Sequence, residues 1–197
     1  NNFEFEIKMH CNQSGTFHSL GLVYFDYNTA AFGNAIAGNI TLTPLNLLNE
    51  NVFGVLPKYN LSGAVNNTAS RIAIPWQSLF LSQAPSSSFH TAVPTTPTDL
   101  VRVNIPILNN TQTAGINFNE NLMNGEQFYI VGPNQNMAYG NPNVYSNNGF
   151  ISQALPIKLL MFSAEENVLD VNLSWSSNVE QNFSHYDIER SIDQRNW

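Results

Sequence analysis

The sequence predicts an all-β protein organised as an antiparallel β-sandwich, and three observations predict it. Apolar residues recur with period 2 along most of the chain and almost nowhere with period 3.6, the pattern of half-buried strands rather than helices. Such segments return roughly every 10 to 20 residues between clusters of Asn, Gly, Pro and Ser, the rhythm of a sandwich and not of strand–helix units. With 197 residues, 43% of them hydrophobic, the chain is long enough to bury a sizeable core.

Each element follows from its own residues. Phe3, Phe5, Ile7 and Met9 alternate with Glu4, Glu6, Lys8 and His10, giving a first strand with one apolar face that ends in the polar turn Asn12-Gln13-Ser14-Gly15. Leu20 to Tyr27 is a second, more continuously apolar strand. Ile36 to Thr43 reads as a third, with Ile40 and Leu42 opposite Asn39 and Thr41. Leu45 to Phe53, bracketed by Pro44 and Pro57, reads as a short helix or a wide loop. Ala69 to Trp76 makes a fourth strand whose inward set is Ile72, Ile74 and Trp76. The Ser/Thr/Pro tract over 82–99 is expected to be a long surface loop within the same domain, because a strand resumes at Leu100 to Leu108. Ile116 to Leu122 and Gln127 to Val131 flank Asn124-Gly125, a hairpin dipeptide because both residues tolerate positive φ. Gly132 to Gly149, rich in Asn, Gly and Pro, reads as loop.

Composition shifts at Leu155-Pro156. Of the 14 acidic residues, 7 fall between Glu165 and Asp193. The expected division is therefore a first domain over 1–154 and a second over 155–197. Asp170 to Trp197 reads as strand, turn and strand with no closing element, so the second domain is expected to be the beginning of a module whose remainder lies downstream. The first residues, Asn1-Asn2-Phe3, carry no leader pattern, and an export signal is expected to have been removed or to lie upstream.

Charge and cysteine content exclude several functions. Seven Lys and Arg against 14 Asp and Glu give a net charge of −7, which argues against nucleic acid or an anionic membrane as partner. The single Cys excludes an intrachain disulfide framework and a Cys-based zinc cluster. No apolar run approaches the roughly 20 residues of a membrane span. The 30 Asn residues outnumber all charged residues together, so amides rather than charges keep this surface polar.

The chemistry-bearing residues offer little to catalysis. Glu4 and Glu6 share a strand face about 7 Å apart, a spacing a two-carboxylate glycosidase would use. Lys8 follows them in the same stripe, however, and marks a solvated face. Glu165-Glu166 reads the same way. His10, Cys11 and His18 match no zinc spacing, and Asp26 with Glu120 lacks the acidic cluster of a calcium loop. No G-x-S-x-G, P-loop, H-E-x-x-H or EF-hand string occurs. Catalytic residues, metal and cofactor are all expected to be absent. N-x-S/T triplets, as at Asn12, Asn60 and Asn109, are expected by chance at this Asn content. Tyr24, Tyr27, Trp76, Tyr129, Tyr139 and Tyr145 are the aromatic residues suited to stack on a sugar ring, and of these Trp76 belongs to the core by its alternation with Ile72 and Ile74. Tyr139 and Tyr145, in an Asn-rich loop, remain as candidate ligand-binding residues, the alternative being tyrosines that cover the end of the sandwich.

Two stretches carry a resemblance. Leu155-Pro156-Ile157-Lys158-Leu159-Leu160-Met161-Phe162-Ser163-Ala164, Val171-Asn172-Leu173-Ser174-Trp175, Glu180-Gln181-Asn182, Tyr186-Asp187-Ile188-Glu189-Arg190-Ser191 and Asn196-Trp197 follow one another in order. Together they resemble the fibronectin type III-like module found near the C-terminus of large proteins exported by bacterial type IX secretion. Phe3-Glu4-Phe5-Glu6-Ile7, Leu22 to Asn28, Gly38-Asn39-Ile40-Thr41-Leu42 and Leu100 to Ile105 look like the cohesin-like sandwich that often precedes that module, with the tract at 82–99 as an insertion. The resemblance implies a jelly-roll or cohesin-like sandwich followed by an incomplete fibronectin type III-like sandwich. It further implies a secreted, extracellular or outer-surface protein whose role is adhesion, docking or structure rather than catalysis. Its partners would be a protein or a glycan at the cell surface, with assembly into a larger surface complex. A carbohydrate-binding module serving an enzyme outside this chain, and a subunit of a surface filament, are the alternatives.

Overall fold

Two antiparallel sheets lie face to face over a single apolar core, as the alternation requires. The structure, a computed structural model, describes residues 1–139, 159–167 and 170–177. Along the chain run β1 (Asn2–Met9), β2 (His18–Asp26), a one-turn helix α1 (Thr29–Phe32), a 3-10 turn (Ile36–Asn39), β3 (Thr41–Pro44), β4 (Asn51–Val52), β5 (Leu56–Pro57), β6 (Tyr59–Leu61), β7 (Val65–Thr68) and β8 (Arg71–Ser78). There follow β9 (Thr98–Pro106), β10 (Asn117–Phe118), α2 (Glu120–Met123), β11 (Gln127–Gly132), β12 (Gln135–Ala138), β13 (Leu159–Asn167) and β14 (Asp170–Ser177). The smaller sheet has the order β1-β9-β3. The larger runs β12-β11-β2-β8-β6, with β10 added to β2 and β7 to β8.

The inward sets are those that period 2 selects. Phe3, Phe5 and Ile7 of β1 and Val101, Val103 and Ile105 of β9 face Val23 and Phe25 of β2 and Ile72, Ile74 and Trp76 of β8, all of them buried. Phe5 meets Phe25 edge-on, ring centres 5.5 Å apart at 89°. Each such side chain contributes about 1.5–3 kcal/mol by leaving water. The outer face of β1 is an ionic stripe. Arg102 reaches Glu6 at 2.8 Å and Glu4 at 3.5 Å, and Lys8 pairs with Asp99 at 2.9 Å. Hydrogen bonding to Glu6 and then the charge of Glu4 hold Arg102 more firmly protonated. Glu4 and Glu6 are thus joined through one guanidinium across β1 and β9.

Four local expectations need correction. Ile36 to Asn39 is a 3-10 turn and not the start of a strand, because Ala35 enters it at φ 52 and the Asn66 side chain accepts from Ala37 N at 2.9 Å. Asn124-Gly125 does not turn a hairpin. Asn119 caps α2 by accepting from Leu122 N at 3.3 Å, and β10 and β11 on either side pair in turn with β2. The segment after Gly132 is not all loop, since β12 closes a hairpin on β11 around Asn134 at φ 55. The tract over 82–99 is not merely superficial: Phe17 bridges to Ala92, and His90, Thr91 and Val93 are buried. Leu45 to Phe53 forms a single turn closed by Leu48 N to Leu45 O at 2.7 Å, then β4.

Strands β13 and β14 form an antiparallel hairpin that sets Phe162 opposite Trp175 and Ala164 opposite Leu173. Leu173 and Trp175 fall on one face, as their spacing in sequence requires. The domain boundary expected after residue 154, and the second strand expected after Trp175, lie outside the described residues.

Candidate functional site

The site begins with a three-residue strand. β6 lies between Pro57 and Gly63, too short to show alternation, and is held by its side chains instead. The Tyr59 hydroxyl donates to His18 O at 2.9 Å and accepts from Thr91 N at 2.9 Å, and burial pushes its pKa up to about 12. Beside it, the buried Lys58 ammonium donates to Glu50 at 2.6 Å, to Ser87 O at 2.8 Å and to His90 O at 3.3 Å. The same Glu50 oxygen accepts from Thr91 Oγ1 at 2.9 Å. These bonds tie β6, the turn before β4 and the long connection over 79–97 into one unit.

On the outer side of β6 lies a cleft of about 360 Å³ between the edges of the two sheets, a volume typical of ligand and peptide sites. Leu42 and Pro44 line it from the smaller sheet with Ile40 just before β3, Leu48 and Asn49 from the connection with Asn51 of β4, and Tyr59 and Leu61 from the larger sheet. None of its lining residues is an acid or a base, and the Tyr59 hydroxyl is already committed inward.

The main chain on both walls has a defined orientation. Leu79 N donates to Lys58 O and Ser62 N to Pro75 O, while Lys58 N donates outward to Glu50 O at 2.9 Å, so in the alternating antiparallel ladder Asn60 and Ser62 turn their main chain toward β8 and Lys58 only its carbonyl. Tyr59 and Leu61 therefore turn theirs away, into the cleft. On the opposite wall, Leu45 N donates to Leu100 O. The same alternation turns Thr41 and Thr43 toward β9 and Leu42 away from it. Among the described residues, β3 and β6 each have a strand partner on one side only. Pro44 and Pro57 fit this arrangement, since proline is confined to strand edges and ends.

The turn joining β4 to β5 stands at the same end of the molecule. Phe53 at φ 53 and Gly54 at φ 73 are both in the left-handed region, as a type I′ turn requires. Phe53 is 82% exposed and meets Phe89 edge-on, ring centres 6.4 Å apart.

The tyrosines selected from sequence have a different setting. Tyr139 is half-buried beyond β12, does not line the cleft, and stacks on His18 with ring centres 6.4 Å apart at 23°. Its other neighbour is Tyr129 at 5.1 Å, and its hydroxyl, buried with no hydrogen-bond partner among the described residues, is raised in pKa by burial. Tyr145 lies outside the described residues. His18 turns into the core, where the Trp76 indole N–H donates to its Nε2. Burial lowers its pKa to about 3, so the ring is neutral and carries its proton on Nδ1. Asp26, weighed as a calcium ligand, bonds Arg71 at 2.7 Å and Asn119 at 3.0 Å. The single S–H of Cys11 has two carbonyl acceptors in reach, Gln13 O at 2.8 Å and Val93 O at 3.3 Å. Among the described residues no three of His, Cys, Asp and Glu converge as a metal site, and no helix is long and apolar enough to cross a membrane.

No protein-family model, no curated protein and no solved structure matches this chain.

Proposed function

We propose that this chain is a non-enzymatic docking module of a secreted bacterial surface protein, with the uncharged cleft between β3 and β6 as its docking site. The observation that carries the reading is a sandwich whose two sheets end on one side, among the described residues, in strands with outward-turned main chain facing each other across an uncharged recess. Such edges bind another chain unless they are covered. Secretion, the extracellular or outer-surface location, the cohesin-like character of the first domain and the fibronectin type III-like character of 155–197 rest on the sequence resemblance.

The carbohydrate-binding alternative draws less support. A sugar platform needs an open aromatic face, and His18 and Tyr129 pack against Tyr139. Filament assembly would use the same open edges, with a second copy as the partner.

The test is a paired screen of the purified chain against a displayed peptide library and a glycan array. The reading expects peptides to be enriched, the array to stay blank, and Leu42→Asp to abolish enrichment. Glycan binding lost on Tyr139→Ala would overturn it in favour of a sugar-binding module, and so would peptide enrichment that survives Leu42→Asp. Hydrolysis of a peptide or polysaccharide would overturn its non-enzymatic half.

A further inference from the structure

Between α2 and β11 the chain reverses over residues 123–126. Asn124 at φ −62 and ψ 121 and Gly125 at φ 82 are the central pair of a type II turn, closed by Glu126 N donating to Met123 O at 3.1 Å. The N–H between the two central residues takes no part in closing such a turn. Both residues are exposed, and among the described residues neither Gly125 N–H nor the Asn124 side-chain amide has a hydrogen-bond partner. A Cβ on Gly125 would meet no atom within 4 Å, so nothing packs over the turn. The other asparagines within 1–139 are set differently. Asn28, Asn66 and Asn119 spend their side-chain carbonyls on main-chain N–H groups. All but Asn124 are followed by a residue larger than glycine, whose side chain crowds its own nitrogen.

We infer that Asn124 is a site of self-modification, at which the Gly125 nitrogen attacks the Asn124 side-chain amide and water completes the exchange of that amide for a carboxylate. Gly125 N gives up its proton and bonds to Asn124 Cγ, the Cγ–Nδ2 bond breaks, and ammonia carries the proton away from a five-membered succinimide. Water then opens the ring. Opening at Cγ leaves an ordinary aspartate. Opening at the main-chain carbonyl leaves an isoaspartate, whose backbone runs through Cβ and is one carbon longer. Attack requires the peptide plane after Asn124 to swing toward its own side chain, and the exposed hydrogen bond from Glu126 N to Met123 O is what resists that swing. The product acts on the fold. It adds a carboxylate lying in sequence between Glu120 and Glu126, and as isoaspartate it lengthens a turn whose ends are fixed. Met123 is buried, and the buried Gln127 donates to Leu22 O at 2.7 Å. This chemistry is independent of docking at the cleft.

The experiment incubates the purified whole chain at mildly alkaline pH and body temperature, samples it over days, and digests each sample with a glutamate-specific protease. Cleavage after Glu120 and Glu126 releases residues 121–126, and fragment masses locate the change within them. That peptide is expected to gain the mass difference between an amide and an acid, as two separable products, aspartate and isoaspartate. Conversion at Asn124 should run at least tenfold faster than at any other asparagine within 1–139. It should slow several-fold at mildly acidic pH, where Gly125 N gives up its proton less readily. Hydroxylamine present during the incubation should cut the chain between residues 124 and 125 by opening the succinimide. Asn124→Gln, whose carbonyl lies one carbon farther from Gly125 N, should stop the conversion and leave the denaturant midpoint of the fresh protein unchanged. In the parent that midpoint should fall as conversion proceeds. Residues 121–126 that stay unmodified after a free peptide of the same sequence has converted would show that the turn protects Asn124, and would overturn the proposal. Conversion at Asn124 no faster than at Asn121 would overturn it as well. Aspartate formed with no isoaspartate and no hydroxylamine cleavage would overturn the succinimide route, and a midpoint that holds through full conversion would overturn the effect on the fold.

Discussion

Gly21 in β2 shows how much one missing methyl group decides. It sits opposite Trp76 on one neighbouring strand and Gln127 on the other, and a Cβ there would run into both the indole ring and the Gln127 amide. Gly21→Ala is expected to destabilise the protein by about 1–3 kcal/mol, read as a lower denaturant midpoint at unchanged slope. A truncation within the core should cost more, and Ile74→Ala, at a site with no exposed surface, is expected to cost about 2–5 kcal/mol. His18 next to Trp76 makes stability depend on pH. Its folded pKa of about 3 lies below the ordinary 6.5, so between those values the unfolded chain takes a proton that the folded chain refuses. Stability contributed by the neutral ring is present above pH 6.5 and is lost as pH falls below it, by at most about 1.4 kcal/mol per pH unit. His90, also lowered by burial, acts in the same direction. His18→Gln is expected to flatten the dependence between pH 6.5 and 4 without removing it, and a variant whose stability, measured by urea denaturation at each pH, falls with pH as steeply as the parent's would contradict this account.

Elements that could be read from the sequence are those long enough for period 2 to show. β1, β2, β8 and β9 each run eight or nine residues, and Phe3, Phe5 and Ile7 of β1 and Ile72, Ile74 and Trp76 of β8 are buried as the alternation places them. Elements fixed by capping or by a neighbour's side chain could not be read in that way. Asn119 turns Ile116 to Leu122 from a strand into β10 and α2, and Asn66 holds the 3-10 turn before β3. The cleft suffered most, because β6 is three residues long and its position depends on Tyr59 and Lys58 reaching a connection some 30 residues further on. Its one signal in sequence was the pair of prolines, Pro44 and Pro57, which mark strand edges. The exposed turn between β4 and β5 yields a prediction of its own. A bulky aromatic residue at positive φ costs about 1–2 kcal/mol, so Phe53→Asn, which suits a type I′ turn, is expected to raise the melting temperature. A fall by several degrees would show that the contact with Phe89 outweighs the strain.

For the molecule as a whole, the two sheets share one well-filled core yet do not finish alike. Among the described residues they stop at one side at β3 and β6, with an uncharged recess between them and main-chain groups directed into it. The same lack of charge that distinguishes the composition, with more Asn than all charged residues combined, extends to the residues that line this recess. The central claim is that β6 is an open edge, and residue-resolved hydrogen exchange of the free chain tests it most directly. Asn60 N–H, turned toward β8, should exchange slowly, whereas Tyr59 and Leu61 on either side of it, and Leu42 across the cleft, should exchange at least tenfold faster. Uniform protection over residues 59–61 would mean that the edge is already covered, and would contradict the account.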